Sequence, residues 1–566
     1  MPNKNRRDRS LKTIKVLFLV SIWVLAFCAV NTHWVQAQED TVIYILSDGS
    51  LYSSTGIDAA IEKEGNVYTI KDDLVGFSLV IQCPNVVIDG DGFSLSGASE
   101  SAIDVSNING ITIKNIKIMG SYFYGILISE SSGITVEGST IGGNVRGLYI
   151  YNASGNTFTG NSITNNEIGV DVSSSRNIMF RNNTFYNQHN MVVYGDLLSH
   201  FAIDIDTSNT IGDKKFYYLN NQENLIISPI TYPDVGFLAL VNCNNITVQD
   251  LELTNNGQGL ILAFTTNSKI LGNTITTCHN GILLFSSSDN ELTNNIITDT
   301  FRGLQISRAS KNNRINVNNV TNNEQGILLF DSTSNTFIGN YVENNSIGIG
   351  FSSSSNNMIR GNYFINNEQQ VYDTGMTDSS VSNSTNHWYF DYPVGGNYWS
   401  DYDGVDLMSG ASQNEEGSDT FGDTPYVVYS NNKDQYPLLP YGSPFGVSII
   451  SPENKSYNPG SITLSYIVTE TGSSISYSLD GQANVTISGS ATLPNMSEGT
   501  HNVTIYAKST DGTEKSDTVT FTISKESESP TDNEGTEELP ITLIAALILL
   551  VAAIAVALLY FLKLKK

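Results

Sequence analysis

Basic residues and cysteines are scarce in this 566-residue chain. It has 29 Lys and Arg against 56 Asp and Glu, which gives a net charge of −27. Such a surface repels phosphate backbones and excludes nucleic acid as a partner. Of the four cysteines, Cys28 belongs to an N-terminal leader, so that Cys83, Cys243 and Cys278 remain. This odd number excludes a disulfide framework and indicates buried thiols, with one bridged pair as the alternative.

Long apolar runs occur only near the two ends of the chain. Residues 1–37 have a basic start, an apolar stretch at 16–30 and a small-residue cleavage site ending at Ala37, as a secretory signal peptide does. An uncleaved anchor is the alternative, although the apolar stretch is short for a membrane span. Residues 541–562 carry no charge and are followed by the basic tail 563–566, which predicts one C-terminal transmembrane helix with a cytoplasmic tail. We therefore expect a cell-membrane protein whose bulk is extracellular or periplasmic.

Between these ends a unit of about 22 residues repeats. Each unit begins with a glycine followed by alternating apolar residues, and the spacing within each of two runs is 22 or 23 residues. These glycines are Gly125, Gly147, Gly169, Gly236, Gly259, Gly281, Gly303, Gly326 and Gly348. A fixed period indicates a stacked solenoid, and alternation with a period of two makes its elements strands. The predicted fold is all-β, a right-handed parallel β-helix with one rung per repeat.

Changes in composition divide the chain into eight parts. In order they are a signal peptide at 1–37, an N-terminal cap with the first rungs at 38–101, β-helix repeats at 102–370 with an insertion at 191–235, an aromatic and acidic C-terminal cap at 371–443, an immunoglobulin-like β-sandwich at 444–524, a disordered acidic linker at 525–540, a transmembrane helix at 541–562 and a cytoplasmic tail at 563–566.

The alternation also predicts which side chains point outward. The first and third residues after each glycine, such as Leu284 and Leu329, should face the core, and the second and fourth should face outward. We expect the glycines to take positive φ at tight turns, and the many asparagines to form turns and hydrogen-bonded ladders. Asp171 is the only carboxylate at the second position, whereas glycoside hydrolysis needs a pair of carboxylates. This pattern argues against catalysis on that face.

Apolar residues fill the outward positions of several consecutive rungs, a stripe larger than soluble monomers usually expose. We expect either that the aromatic C-terminal cap covers this stripe or that the stripe and the two cap tryptophans bind a partner protein or a glycan. The residues of this candidate binding face are Leu238, Leu240, Ile261, Leu283, Phe285, Leu328, Phe330, Trp388 and Trp399.

Two further kinds of site are indicated by short motifs. Aspartates with intervening glycine can bind calcium, although a plain acidic turn is the alternative; they are Asp401, Asp403, Asp406, Asp419 and Asp423. Four of the N-x-S/T glycosylation sequons lie in the predicted sandwich, at Asn454, Asn484, Asn495 and Asn502.

Two segments resemble the NosD-type β-helix proteins, the periplasmic copper-binding family with archaeal cell-surface relatives. They are FAIDIDTSNTIGDKKFYYLNN at 201–221 and NHWYFDYPVGGNYWSDYDGVDL at 386–407, the second followed by GDTPYVV and DQYPLLPYG. The resemblance implies export, a right-handed β-helix and, in the founding members of the family, a role with an ABC transporter in maturing the copper sites of nitrous oxide reductase. Its repeats are also widespread in carbohydrate-binding and sugar-hydrolysing β-helices.

The residues themselves argue against copper, which favours clustered His, Met or Cys. Beyond the leader the five histidines are scattered, at His189, His200, His279, His387 and His501. The favoured hypothesis is a non-enzymatic, membrane-anchored surface protein that binds glycans, envelope components or other proteins. The alternatives are an envelope-anchored polysaccharide lyase or glycoside hydrolase, and a NosD-like accessory factor in copper-enzyme maturation.

Overall fold

The computed structural model describes residues 41–524, apart from 54–59, 98–99, 121, 379, 430–431, 440–446, 453, 460–461, 469–473, 488–490, 495, 509–511 and 513. The chain divides into two compact units, Met1–Pro444 and Phe445–Lys566. The predicted signal peptide and the predicted transmembrane helix lie outside the described residues. Within the described part of the chain, no helix has the length and apolarity needed to span a membrane.

The first unit is the predicted parallel β-helix, with about 14 turns and almost no helix. A rung consists of one long and two short strands, and equivalent strands of successive rungs pair in parallel. We divide it into a first solenoid segment, residues 41–211, and a second solenoid segment, residues 214–373. Among its described residues the helices are the α-turn Leu198–Phe201 and the 3-10 turn Thr374–Met376.

Two sheets belong to the first segment alone. Its long-strand sheet has the order Leu51–Ser53, Thr41–Ile45, Phe77–Ile81, Ser101–Asp104, Tyr124–Ser129, Arg146–Tyr151, Ile168–Ser173, His189–Tyr194. Its second sheet has the order Ile61–Glu64, Val67–Ile70, Val87–Asp89, Thr112–Lys114, Thr135–Glu137, Thr157–Thr159, Met179–Arg181, Asp204–Ile205.

A 15-stranded sheet runs through both segments. It begins with short strands of the first segment: Leu74–Val75, Ser94–Ser96, Lys117–Met119, Thr140–Gly142, Ser162–Thr164, Thr184–Tyr186 and Thr210–Ile211. It continues with the long strands of the second: Lys214–Asn220, Val235–Val241, Gln258–Ala263, Asn280–Phe285, Arg302–Ser307, Gln325–Phe330, Ile347–Ser352 and Gln369–Asp373. The long strands therefore move from one sheet of the solenoid to another at the insertion, so that the second segment is not a simple continuation of the first.

Two short-strand sheets complete the second segment. One contains Ile226–Ile227, Thr247–Gln249, Lys269–Leu271, Glu291–Thr293, Arg314–Asn316, Thr336–Ile338 and Met358–Arg360. The other contains Glu252–Thr254, Thr274–Thr276, Ile296–Thr298, Asn319–Thr321, Tyr341–Glu343, Tyr363–Ile365 and Tyr398–Trp399.

The repeat glycines serve close packing rather than positive φ, contrary to our expectation. A Cβ on Gly125, Gly147 or Gly259 would lie 2.5, 2.6 or 2.7 Å from the carbonyl oxygen of the glycine one rung further on, and none of the three has positive φ. The left-handed conformation occurs instead at turn asparagines such as Asn165 and Asn322. Glycine is therefore required where the backbones of neighbouring rungs approach each other at a corner of the solenoid.

Buried asparagines form the expected ladders along the corners of the solenoid. In the longest one each side-chain amide donates to the side-chain carbonyl of the asparagine on the next rung, at 2.8–3.0 Å. Its members are Asn273, Asn295, Asn318, Asn340, Asn362 and Asn397. Because each amide also donates to a main-chain carbonyl, as Asn318 does to Leu292, these polar groups are satisfied inside the core. Most of the high asparagine content is therefore structural.

The aromatic C-terminal segment closes the end of the second solenoid segment. Trp399 stacks on Phe364 with ring centroids 4.6 Å apart, and its Nε1 donates to Asp434, the buried carboxylate that ends the long ladder. Trp388 Nε1 donates to Asn432, at the end of a second ladder. Its strands are the pairs Met408–Ser409 with Glu415–Glu416 and Tyr426–Tyr429 with Asn432–Asp434.

The second unit consists of short sheets around its own core of Leu464, Val503 and Phe521. Its five-stranded sheet has the order Ser456–Tyr457, Glu514–Ile523, Gly499–Lys508, Ser474–Leu479, Val485–Ile487, and its three-stranded sheet the order Val447–Ser451, Ile462–Val468, Ala491–Leu493.

Candidate ligand-binding face

The predicted apolar stripe is not an exposed face. Leu238 and Leu240 point inward, because Leu238 pairs with Leu260 and not with Ile261 as the glycine spacing implied. Every residue of the strand Val235–Val241 is buried, so alternation could not distinguish its two sides. The assignment of Leu238 and Leu240 to a binding face is therefore wrong.

Three more residues of the stripe are covered by the first segment and not by the aromatic cap. Ile261, Leu283 and Phe285 point outward but belong to the hydrophobic core of the first segment, where Phe285 packs on Phe201 with ring centroids 4.7 Å apart. Trp388 and Trp399 are buried in the core of the second segment. Ile261, Trp388 and Trp399 therefore have no surface to offer a ligand, and Leu283 and Phe285 are only 2% and 8% exposed. Leu328 is half-buried and Phe330 is 42% exposed.

The first segment ends against the outer side of the second along a line that we call the seam. The polar and charged side chains described below lie along it. The strand His189–Tyr194 ends the first long-strand sheet, and its backbone accepts hydrogen bonds from the corner residues of the second segment, as Met191 does from Gly257. The seam thus brings together residues more than a hundred positions apart. Its outward side chains, which we call the seam face, are Arg146, Tyr149, Asp171, Tyr194, Arg302, Gln305 and Arg308.

Asp171 and Arg146 form an ion pair at the centre of the first segment's part of this face. Arg146 Nε donates to Asp171 Oδ2 at 3.0 Å, and Ser173 Oγ donates to Oδ1 at 2.8 Å. Asp171 is buried, and this burial raises the pKa of its carboxyl although Ser173 and Arg146 act in the opposite direction. Both oxygens of this carboxylate are therefore occupied by protein donors.

Tyrosine rings lie on the same strands, one pair across neighbouring rungs and one pair along a single strand. Tyr124 and Tyr149 lie 4.9 Å apart and nearly parallel, and Tyr149 and Tyr151 are 6.1 Å apart. The Arg146 guanidinium lies 5.6 Å from the centre of the Tyr149 ring. The faces of Tyr124 and Tyr149 cover each other, whereas Tyr151 is 42% exposed.

Tyr194 and Arg302 face each other across the seam. Burial raises the pKa of the Tyr194 phenol, on which the charges of Arg302, Asp171 and Arg146 also act. Arg302 Nε donates to Gln325 at 3.1 Å, and its guanidinium lies 4.9 Å from the Phe301 ring. Among the described residues, no carboxylate pairs with Arg302, and burial lowers the pKa of its guanidinium.

A groove of about 280 Å³ opens beside Tyr194. Its floor is apolar, formed by Phe201, Leu283 and Phe285, and Tyr194 and Gln305 contribute polar groups. On its rim Arg308 forms a 2.8 Å ion pair with Asp196. The groove and the tyrosine rings together make a strip that is polar at its edges and apolar at its base.

Two histidines also meet at the seam. The rings of His189 and His279 have centroids 6.0 Å apart, and His279 stacks on Phe301 at 4.9 Å. Burial, followed by the charge of Arg302, lowers the pKa of His279 to about 4, so this imidazole is neutral at pH 7. Burial lowers the pKa of His189 as well, and its buried Nδ1 makes no hydrogen bond within the described residues.

The predicted calcium ligands are not gathered around a common point. The described residues contain no group of three or more His, Cys, Asp or Glu side chains placed to hold a metal. Asp406 accepts hydrogen bonds from the backbone of Asp419 and Thr420, Asp419 from that of Gly410, and Asp423 from that of Leu407. Asp401 accepts from Tyr426, and Asp403 is not brought to the others. In the described structure these carboxylates therefore hold the loop through its backbone amides, and calcium binding stays a prediction.

The structure also shows the positions of the cysteines and of the predicted glycosylation sequons. Cys83, Cys243 and Cys278 are all free thiols, the last two buried. The sequon asparagines Asn454, Asn484 and Asn502 are exposed, and Asn495 lies outside the described residues.

Sequence reasoning missed Arg146, Tyr194 and Arg302 as a group. Arg146 and Arg302 each directly precede a repeat glycine, in the matching motifs RGLYIY and RGLQIS, and this shared motif was the available signal. Their meeting at the seam depends on the change of sheet between the segments, which no local pattern encodes.

Residues 31–204 and 199–404 match the family described as periplasmic copper-binding protein (NosD). The chain belongs to the NosD family. This membership agrees with an extracellular or periplasmic location for the bulk of the chain. No curated protein matches the chain in sequence.

Several solved structures show weak similarity to this NosD-family chain. The Azotobacter vinelandii mannuronan C-5 epimerase AlgE6 A-module is 13% identical, with 56% of this chain and 87% of that chain covered and a TM-score of 0.23. The periplasmic alginate epimerase AlgG is 13% identical, covering 58% and 80%, with a TM-score of 0.23. The GH87 α-1,3-glucanase of Streptomyces thermodiastaticus is 12% identical, covering 57% and 60%, with a TM-score of 0.21. At such TM-scores these similarities say nothing about activity.

The family description implies copper, and the described residues do not fit it. His189 and His279 are the imidazoles that meet, but no third His, Cys, Asp or Glu joins them within the described residues. The Arg302 charge that lowers the pKa of His279 would also repel a copper ion. Among the described residues we therefore find no copper centre at the seam.

Proposed function

We propose that this NosD-family protein is an exported, membrane-anchored surface protein whose seam face binds a glycan without chemically changing it. The observation that carries the proposal is the strip itself, in which tyrosine hydroxyls, two guanidinium groups and an apolar groove follow the solenoid axis. Neighbouring rungs are about 4.8 Å apart, as adjacent strands are. This spacing is comparable to the length of one sugar unit, so an extended glycan can meet equivalent positions on successive rungs.

The ends of the chain support a surface location. The predicted signal peptide at 1–37 directs export, and the predicted span at 541–562 holds the protein by one C-terminal helix. We interpret the second unit as an immunoglobulin-like spacer, since it consists of short strands around a small separate core. In the order of the chain, the predicted sandwich and the predicted acidic linker lie between the solenoid and the predicted span.

The hydrogen bonds that the Asp171 carboxylate accepts favour a binding function over a catalytic one. A general acid or nucleophile must reach the substrate, but both Asp171 oxygens already accept hydrogen bonds from Arg146 and Ser173. The raised pKa of this buried carboxyl is the observation in favour of the alternative, a polysaccharide lyase or hydrolase. Reducing ends or unsaturated products released from a bound glycan would support that alternative.

A glycan array probed with the full chain in detergent tests the proposal. We expect a defined subset of glycans to be retained, and retention to fall when Tyr194 is replaced in the Tyr194→Ala variant. The matched control is Tyr186→Ala, because Tyr186 is 69% exposed on another sheet of the same segment. Absence of glycan retention by the wild-type chain, or equal retention by both variants, would contradict the proposal.

A further inference from the structure

The motifs RGLYIY and RGLQIS, which begin with Arg146 and Arg302, differ in whether their arginine has a counter-ion. Arg146 has its counter-ion in Asp171, which follows Tyr149 in the ladder of outward residues on the next rung. In the second segment the outward ladder runs from Gln305 to Leu328. Leu328 therefore occupies beside Arg302 the position that Asp171 occupies beside Arg146, and the carboxylate is missing.

The missing carboxylate leaves the charge of Arg302 uncompensated in an otherwise acidic protein. Arg302 is half-buried, its one described hydrogen bond goes to the neutral Gln325, and its neighbour His279 is also neutral at pH 7. A partly desolvated guanidinium without a counter-ion is unfavourable. An anionic group from outside the chain would offset this cost.

We infer that the glycan bound at the seam is acidic, and that Arg302 and Tyr194 together hold its carboxylate or sulfate group. The inference rests on the function proposed above and specifies the ligand class of the same site. Guanidinium pairs with carboxylate and sulfate-like oxygens through two parallel hydrogen bonds, and the Tyr194 hydroxyl can donate a third. The net charge of −27 repels a polyanion, but physiological salt screens this repulsion beyond about 8 Å. Whether an acidic group binds at the seam therefore depends mainly on the nearby Arg302.

Oligogalacturonate and its methyl ester are suitable probes because esterification removes the charge of each carboxyl group and adds only a methyl group. Isothermal titration of the full wild-type chain in detergent should show binding of the acid and at least about tenfold weaker binding of the ester, since a charge-assisted pair is lost. Dextran sulfate and dextran repeat the comparison for sulfate. Equal affinity for the charged and neutral member of both pairs would overturn the inference.

Two variants locate the effect at the seam. Arg302→Gln should reduce affinity for the acid at least about tenfold and leave the ester unchanged. Leu328→Asp should do the same without touching Arg302, because it supplies the counter-ion that Asp171 gives to Arg146. The control is Arg181→Gln, since Arg181 already pairs with Asp204 and Asp206 on another sheet.

The outcomes separate this inference from the proposed function. Binding of acidic glycans that is insensitive to both Arg302→Gln and Leu328→Asp would contradict the inference. Retention of neutral glycans alone would also contradict it while leaving glycan binding in place. Retention of no glycan of either kind would contradict both.

Discussion

In the first solenoid segment the outward residues of the long strands include Tyr149, Tyr151 and Asp171, whereas the matching positions of the second hold Ile261, Leu283 and Phe285. Of the polar set, Tyr151 is 42% exposed and Asp171 pairs with Arg146, whereas the apolar set is buried against the end of the first segment. Both segments use the same repeat, so the difference comes from what packs outside each sheet. The comparison teaches that an outward position in a solenoid becomes a site or an interface according to its neighbours.

The largest expected difference in stability is between two variants that each place an aspartate at the second position after a repeat glycine, one in each segment. Leu283→Asp should lower the free energy of unfolding by about 3–5 kcal/mol, because it buries an unpaired carboxylate between the segments. Leu127→Asp, on the half-buried outer side of the first segment, should cost less than about 1 kcal/mol. Urea unfolding followed by circular dichroism measures both. Equal costs would show that the segments do not pack as described.

Within the second segment, adjacent residues on opposite sides of one strand should respond differently. Leu329→Ala should cost about 2–5 kcal/mol, because it leaves a cavity in the solenoid core. Leu328→Ala, on the half-buried outer side, is the matched control and should cost clearly less. Similar urea midpoints for the two variants would mean that the inward register is wrong.

The two segments should also differ in their response to pH, because the long ladder of the second ends on a carboxylate and the corresponding ladder of the first ends on Asn209. Burial raises the pKa of Asp434 from 3.8 to about 6. The folded state therefore binds this proton more tightly than the unfolded state, and the resulting stabilisation is complete below pH 4 and is lost as the pH rises through about 6. Over that range it amounts to at most about 3 kcal/mol.

Unfolding of the wild type and of Asp434→Asn at pH 4, 5, 6 and 7 checks this prediction. Fluorescence of Trp388 and Trp399 is the suitable probe, because Trp399 donates to Asp434 and the Trp388 ring lies 5.8 Å from that of Trp399. The free-energy difference between the two proteins should change with pH in the predicted direction. A difference that is constant across this range would contradict the assigned pKa.

The smallest effect should follow removal of calcium. Since Asp406, Asp419 and Asp423 already accept hydrogen bonds from backbone amides of their own loop, chelation should leave the melting temperature unchanged. A melting temperature that falls on addition of chelator and recovers with calcium would support the calcium hypothesis.

The repeat and its chemistry were predictable from local sequence, because a strand's period and a ladder's asparagines depend only on neighbouring rungs. Leu284 and Leu329 lie in the core as expected, and Asn318 and Asn340 stand in a ladder. The change of sheet after Tyr194 was not predictable, since it is set by tertiary packing at the insertion. The orientation of Leu238 was not predictable for a related reason, because a strand buried on both sides shows no alternation of apolar and polar residues.

The candidate site was not predictable from local sequence either, because it depends on the same long-range packing. Asp171 stood out as an outward carboxylate, but its partner Arg146 sits at the corner position before the glycine, which the alternation does not assign to a face. Arg302 acquires its significance only because the seam brings it to Tyr194 and because Leu328 takes the place of a carboxylate.

A crystal structure of the solenoid unit with a bound acidic oligosaccharide tests the central claim most directly. The account predicts a carboxylate or sulfate oxygen within hydrogen-bonding distance of the Arg302 guanidinium, with the sugar chain lying along the seam face beside Tyr194. A ligand bound on another face, or an Arg302 side chain paired with a carboxylate of the protein itself, would contradict it.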